Sequence, residues 1–228
     1  MEYKIIGEPM PVVECQLSAG EAMKTEAGSM TWMSPNMKMA TNTGGGGLGK
    51  LFGKMLSGES LFQNTFTAEN GPGYVAFGSS FTGSIRAFDL SGGKSIICQK
   101  SAFLCSEMSV NIDVFFQKKI MTGLFGGEGF IMQKLSGSGV AFVEIDGYCV
   151  ERELTAGESI MISTGNLAVM EDSCTMDVED VKGVSNWMFG GEDVFLTKVT
   201  GPGKIILQTM TLSGFAGALR PFVEKGNN

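Results

Sequence analysis

Apolar and polar residues alternate along most of the chain in short runs closed by Gly, Ser or Asn, the period of half-buried strands rather than of helices. In one run Ser159, Met161 and Ser163 fall on one face and Ile160, Ile162 and Thr164 on the other, and the next arm carries Leu167, Val169 and Glu171. The pattern then returns without a gap: LSAGEAMKTEAGSMTWMSPNMKM from Leu17, LSGGKSIICQKSAFLCSEMSVNI from Leu90 and LTAGESIMISTGNLAVMEDSCTM from Leu154. Each copy opens with Leu, a hydroxyl residue, a small residue and Gly. A fixed internal period separates residues that serve the architecture from those that are special.

A second block alternates with the first. It contains Gly58, Gly127 and Gly191, each before a glutamate, and runs on to Gly71-Pro72-Gly73, Gly137-Ser138-Gly139 and Gly201-Pro202-Gly203, with Ala68-Glu69-Asn70 extra in the first copy. Glycine supplies the positive φ of a tight turn and proline presets one, so this block is predicted to be a hairpin, present three times. About five strands per unit follow. The fold class is all-β: three tandem β-sandwich or short double-stranded β-helix units with a pseudo-threefold arrangement. Block order predicts a first unit over 46–119 and a second over 120–183, with a third over 184–228 completed by strands from 1–45.

From Leu90 to Leu154 is 64 residues and from Leu17 to Leu90 is 73; the surplus lies mainly between Thr43 and Ser60. Gly44-x-x-x-x-Gly49-Lys50 has phosphate-loop spacing, but Leu51 stands where a magnesium-binding Ser or Thr is required, and the run reads as a connector. Beyond it Leu48, Leu51, Phe52, Met55 and Leu56 fall on one helical face, with Lys50 and Lys54 opposite. Such a helix suits a lid on the β-body, or a protein or membrane-surface partner through residues 44–56. Trp187, before a predicted hairpin, is a further interface candidate.

Composition narrows the chemistry. The net charge is −7, which opposes nucleic-acid binding. There is no histidine, so histidine acid–base catalysis, Ser-His-Asp and Cys-His nucleophiles and mixed His/Cys zinc sites are excluded for this chain. Cys15, Cys98, Cys105, Cys149 and Cys174 have no CxxC spacing and read as reduced core thiols; with no apolar core in MEYKIIGEPMP, cytoplasmic residence is expected. Glu59, Glu128 and Glu192 recur once per unit and are read as turn or ion-pair residues. The acidic stretch Glu171, Asp172, Asp177, Glu179 and Asp180 reads as a solvated edge. Trp32, aligned with Cys105 and Val169, is predicted to be core, as are most of the 16 methionines. No catalytic residue, metal or cofactor is expected.

The GGGGLGKLFGKMLSGESLFQNTFTAENGPGYVAFG segment and the later FGGEGFIMQKLSGSGVAFVEIDG resemble the altered-inheritance-of-mitochondria family over nearly the whole chain. The resemblance implies a fold like that of the tryptophan RNA-binding attenuation protein, in three copies within one chain. It also implies that no reaction is established for bacterial members, while a mitochondrial relative is associated with the cristae-organising machinery. The expectation is a non-catalytic binding or assembly protein, able to form homo-oligomers. The competing expectation is a small-ligand binder or enzyme with a pocket between units.

Overall fold

A computed structural model of the chain describes residues 1–26, 28–42, 63–118, 129–180 and 195–223. Strand β1 (Glu2–Ile6) precedes three sets of six strands. The first set is β2 (Val12–Leu17), β3 (Ala22–Glu26), β4 (Met30–Met33), β5 (Met37–Asn42), β6 (Gln63–Ala68) and β7 (Gly73–Gly78). The second is β8 (Gly83–Asp89), β9 (Ile96–Gln99), β10 (Phe103–Glu107), β11 (Val110–Lys118), β12 (Phe130–Gly137) and β13 (Val140–Asp146). The third is β14 (Cys149–Leu154), β15 (Ser159–Ser163), β16 (Leu167–Glu171), β17 (Thr175–Asp180), β18 (Phe195–Thr200) and β19 (Gly203–Gln208), followed by helix α1 (Leu212–Val223).

Each set pairs its strands in one order. The first, sixth and third strands make one sheet, as in β8-β13-β10, and the second, fifth and fourth make another, as in β9-β12-β11. The second sheet of one set then joins the first sheet of the next through the antiparallel pairs β3–β10 and β9–β16. Four sheets result: β1-β2-β7-β4, β5-β6-β3-β10-β13-β8, β11-β12-β9-β16-β19-β14 and β15-β18-β17. Strands of residues 12–42 pair with 63–78 and, through β3, with β10; the expected packing of the amino terminus with 195–208 has no counterpart among the strand pairs of the described residues. Each Leu-initiated block is completed by the glycine block that follows it.

The predicted hairpins are corrected. β6 and β7, β12 and β13, and β18 and β19 flank the glycine turns yet lie in different sheets, so each turn is a corner carrying the chain from one sheet to another. One repeated device holds the corner. The N–H after the last glycine is donated to a side chain at a fixed repeat position: Tyr74 to Ser34 Oγ at 3.0 Å, Val140 to Glu107 Oε2 at 2.7 Å and Lys204 to Glu171 Oε2 at 2.9 Å. Gly139 has φ +122°, which requires glycine, and a Cβ there would also displace the Glu107 carboxylate that holds the corner. Glu107→Ala is expected to cost about 1–2 kcal/mol by leaving the Val140 amide unpaired. Glu107→Ser, which copies the first unit, should lose less than half of that, and urea midpoints of the two variants check it.

Three apolar clusters fill the spaces between successive sheets. One gathers Val13, Cys15, Phe66 and Phe77 with Leu104 and Phe142; the next, Leu90, Cys98 and Leu135 with Val169 and Ile206; the last, Ile162, Leu167 and Val199 with Ile97 and Met132. The middle sheets are thus covered on both faces, which is why Ala141 to Ile145 of β13 are buried without alternation. The third strand of every set carries a bulge at one position, between Met30 and Trp32, Phe103 and Cys105, and Leu167 and Val169. The extra residue puts Leu104 and Cys105 together in the first cluster and Ala168 and Val169 together in the second.

Helix α1 is an element the strand reading does not contain. Leu212, Phe215, Leu219 and Phe222 follow a helical period, and Thr211 Oγ1 accepts the Gly214 N–H at 2.9 Å as an N-cap. Phe215 packs on Phe81 with ring centroids 5.3 Å apart, while Phe222 remains exposed.

Candidate functional site

The sequence-predicted interaction residues Leu48, Lys50, Leu51, Phe52, Lys54, Met55, Leu56 and Trp187 lie outside the described residues, as do Glu59, Glu128 and Glu192. Among the described residues two features break the repeat: the ends of the sheet array, and a cleft between the second and third sets.

At the ends, equivalent strands have unlike surroundings. β10 and β16 are paired with a strand of the preceding set, whereas β4 is the edge of its sheet; β3 and β9 are paired with the following set, whereas β15 is an edge. Trp32 is therefore not core. Its counterparts Cys105 and Val169 are 0% and 3% exposed beneath a neighbouring set, and Trp32 is 41% exposed. Its indole N–H is donated to Glu14 Oε2 at 2.8 Å across Ala76. At the opposite end Met161 is 47% exposed, while its counterpart Ile97 is fully buried against the third set. The first set's residue there, Lys24, donates from Nζ to the Val110 carbonyl of the second set, and burial lowers its pKa.

The cleft, of about 670 Å³, lies between β8 and the face of β14-β19-β16. Its floor is Leu90, Val169, Ile205 and Ile206, and charged residues rim it. Arg86 faces Glu151 at 3.7 Å, Glu171 holds the Lys204 amide, and Asp172 accepts from Lys134 Nζ at 2.7 Å and from Ser95 Oγ at 2.8 Å. These bonds hold the Asp172 carboxyl below its ordinary range, the Lys134 contact first. The acidic stretch is thus partly engaged in holding neighbouring strands. Glu21 and Glu158 occupy one repeat position and accept the Ser18 and Thr155 N–H groups, and those backbone bonds lower both carboxyls.

Glu144 on β13 is a buried carboxyl whose pKa is pushed up to about 7 by burial, against the opposing effect of Ser80, whose N–H and hydroxyl are donated to it at 2.6 and 3.0 Å. Asp146, two residues on, is raised by burial too, although it accepts the Leu212 N–H at the start of α1. Neither lines the cleft. The pair ties β13 to the segment before β8 and to α1. All five cysteines are free thiols, and all but Cys149 are buried, as their dispersed spacing predicts. No group of three or more His, Cys, Asp or Glu is arranged to hold a metal among the described residues. Nor is any helix among them long and apolar enough to cross a membrane.

The cleft and the open ends were not legible from the repeat, because both come from what the repeat lacks. Known proteins share the architecture. The family model described as mitochondrial biogenesis AIM24 matches residues 3–210. An uncharacterized protein of Streptococcus pyogenes serotype M6 is 30% identical over 226 residues, covering 96% of this chain and 89% of the relative. A crystal structure of another Streptococcus pyogenes protein, from a structural genomics consortium, superimposes with a TM-score of 0.81 at 25% identity, covering 97% of this chain and 99% of that one.

Proposed function

Because this chain belongs to the mitochondrial biogenesis AIM24 family, we propose that it is a non-catalytic assembly protein that associates with further copies of itself head to tail. The observation that carries this reading is the exposure of Trp32, whose counterparts Cys105 and Val169 are buried, and of Met161, whose counterpart Ile97 is buried and whose half-buried counterpart Lys24 reaches the Val110 carbonyl of the next set. Both internal junctions pair the third strand of one set with the second strand of the set before it, in one register: Cys105 opposite Thr25, and Val169 opposite Cys98. The same register between copies places Trp32 opposite Ile162 and Met33 opposite Met161. An unpaired edge is a template for strand addition, and a head-to-tail contact uses two different patches.

The test is a mixing experiment. Trp32→Lys blocks one end and Met161→Lys the other, both at exposed edge positions. The wild-type chain is expected to sediment above the monomer mass, each variant alone as a monomer, and an equimolar mixture of the variants as a dimer joined through the two intact ends. A wild-type chain that stays monomeric at all concentrations, or a Met161→Lys variant that still dimerises alone, overturns the reading. Cytoplasmic residence fits five cysteines that form no disulfide. Residues 44–56 remain a separate candidate for a protein or membrane-surface partner, for which Leu51→Ser with Phe52→Ser should abolish liposome binding or self-association without loss of stability.

A further inference from the structure

Strand β1 belongs to none of the three sets. It pairs antiparallel with β2, Tyr3 opposite Cys15 and Ile5 opposite Val13, and so covers the β2 edge. Tyr3 packs edge-on against Phe142 of the second set, with ring centroids 4.9 Å apart, and Met1 and Ile5 pack on the same cluster. β1 therefore fills the space between the first and second sets. The repeat identifies the matching space one set further on: β8 stands for β2, Phe88 for Cys15 and Ile206 for Phe142. That space is the 670 Å³ cleft, with Phe88 and Ile206 among its lining residues and β8 as the edge of its sheet.

We propose that the cleft is a strand-addition site that takes an extended peptide in the place β1 takes one junction earlier. The bound strand runs antiparallel to β8, its backbone bonded to the β8 edge, with an aromatic or large aliphatic side chain opposite Phe88 and over Ile206 and Val169. Main-chain pairing supplies affinity and alternate side-chain pockets supply choice in this mode of recognition. The rim carries both signs of charge, with Arg86 facing Glu151 and Asp172 accepting from Lys134, so a peptide that carries both signs, as EYKII of β1 does, can exchange partners with these pairs. The site is independent of the end-to-end association above, because neither Trp32 nor Met161 lines it.

The probe is a synthetic peptide of sequence MEYKIIG added to the full chain, whose own β1 stays in place. Hydrogen exchange is expected to slow at residues 86–89 on β8 in a saturable way, and a photoreactive phenylalanine at the tyrosine position should crosslink to peptides containing Phe88 or Ile206. A peptide with serine for tyrosine, and one N-methylated on the amides that face β8, are each expected to bind about tenfold more weakly or worse. Unchanged exchange at 86–89, crosslinks confined to the outer face of β4 or to β15, or an N-methylated peptide that protects β8 as well as the parent would each overturn the proposal. The head-to-tail reading fails separately, through the solution mass.

Discussion

Phe142→Ala is expected to destabilise the chain by about 3–5 kcal/mol, the range for a fully buried phenylalanine whose site cannot collapse. Phe142 is 0% exposed and lies in the cluster shared by the first and second sets. Three constraints prevent the gap from closing: β13 is hydrogen-bonded on both sides, to β8 and β10; Tyr3 rests on the ring from β1; and Cys15 and Cys105 are buried in the same cluster. Collapse would require the four-stranded sheet of β2 and the six-stranded sheet of β13 to move towards each other. The loss should appear as a lower urea midpoint and as faster amide exchange in β1 and β2, which lean on the ring from the other sheet. Ile206→Ala, at the equivalent position beside an open cleft, should cost clearly less. Equal costs would contradict the claim that β1 completes the packing at one junction and leaves the other unfilled.

Stability is expected to fall as pH rises from about 5 to about 8, and Glu144 should supply most of the slope. Its carboxyl is raised from 4.5 to about 7. Between those values the folded chain holds a proton that the unfolded chain has released, so unfolding becomes easier with each increment of pH. Above about 8, once pH has passed through the folded pKa, the contribution is flat. A shift of this size corresponds to a loss on the order of 3 kcal/mol across the window. Asp146 is shifted in the same direction by burial and adds to the slope at its lower end. Glu144→Gln keeps an oxygen for the Ser80 amide but has no proton to release, so its urea midpoint should vary much less with pH. A flat wild-type profile, or a Gln variant as steep as wild type, would remove Glu144 as the cause.

The period-2 alternation and the thrice-repeated Leu and Gly positions were enough to read an all-β chain and the faces of β15, where Ile162 is buried and Met161 is not. Partner choice was less legible. Gly-x-Gly chemistry specifies a reversal of direction, but whether the strand after it pairs with the strand before it depends on cores that lie far away in sequence. Trp32 shows the same limit from the side of burial. Its alignment with Cys105 and Val169 was correct, and its exposure follows from β4 being an edge strand among the described residues, which no local pattern encodes. The cleft was hidden because β1 is unrepeated, and α1 because its helical period follows three rounds of strand. Of the sequence-predicted interaction residues, Leu48 to Leu56 and Trp187 lie outside the described residues.

The bulge in the third strand of each set bears on how such a chain tolerates insertion and deletion. Leu104 and Ala168 are supernumerary residues: each lets two consecutive side chains point towards the preceding set while the remainder of the strand keeps its alternation. Deleting Leu104 would restore simple parity and bring the residues on one side of the gap onto the opposite face, exchanging Cys105 with Ser106 in the core. A substitution at Leu104 alters one contact, but a loss of length there alters every contact up to the next turn. The connection between β5 and β6, where the first set is longer than the others, has the opposite character. Length variation among chains of this design should therefore concentrate at that connection and be missing from the bulges.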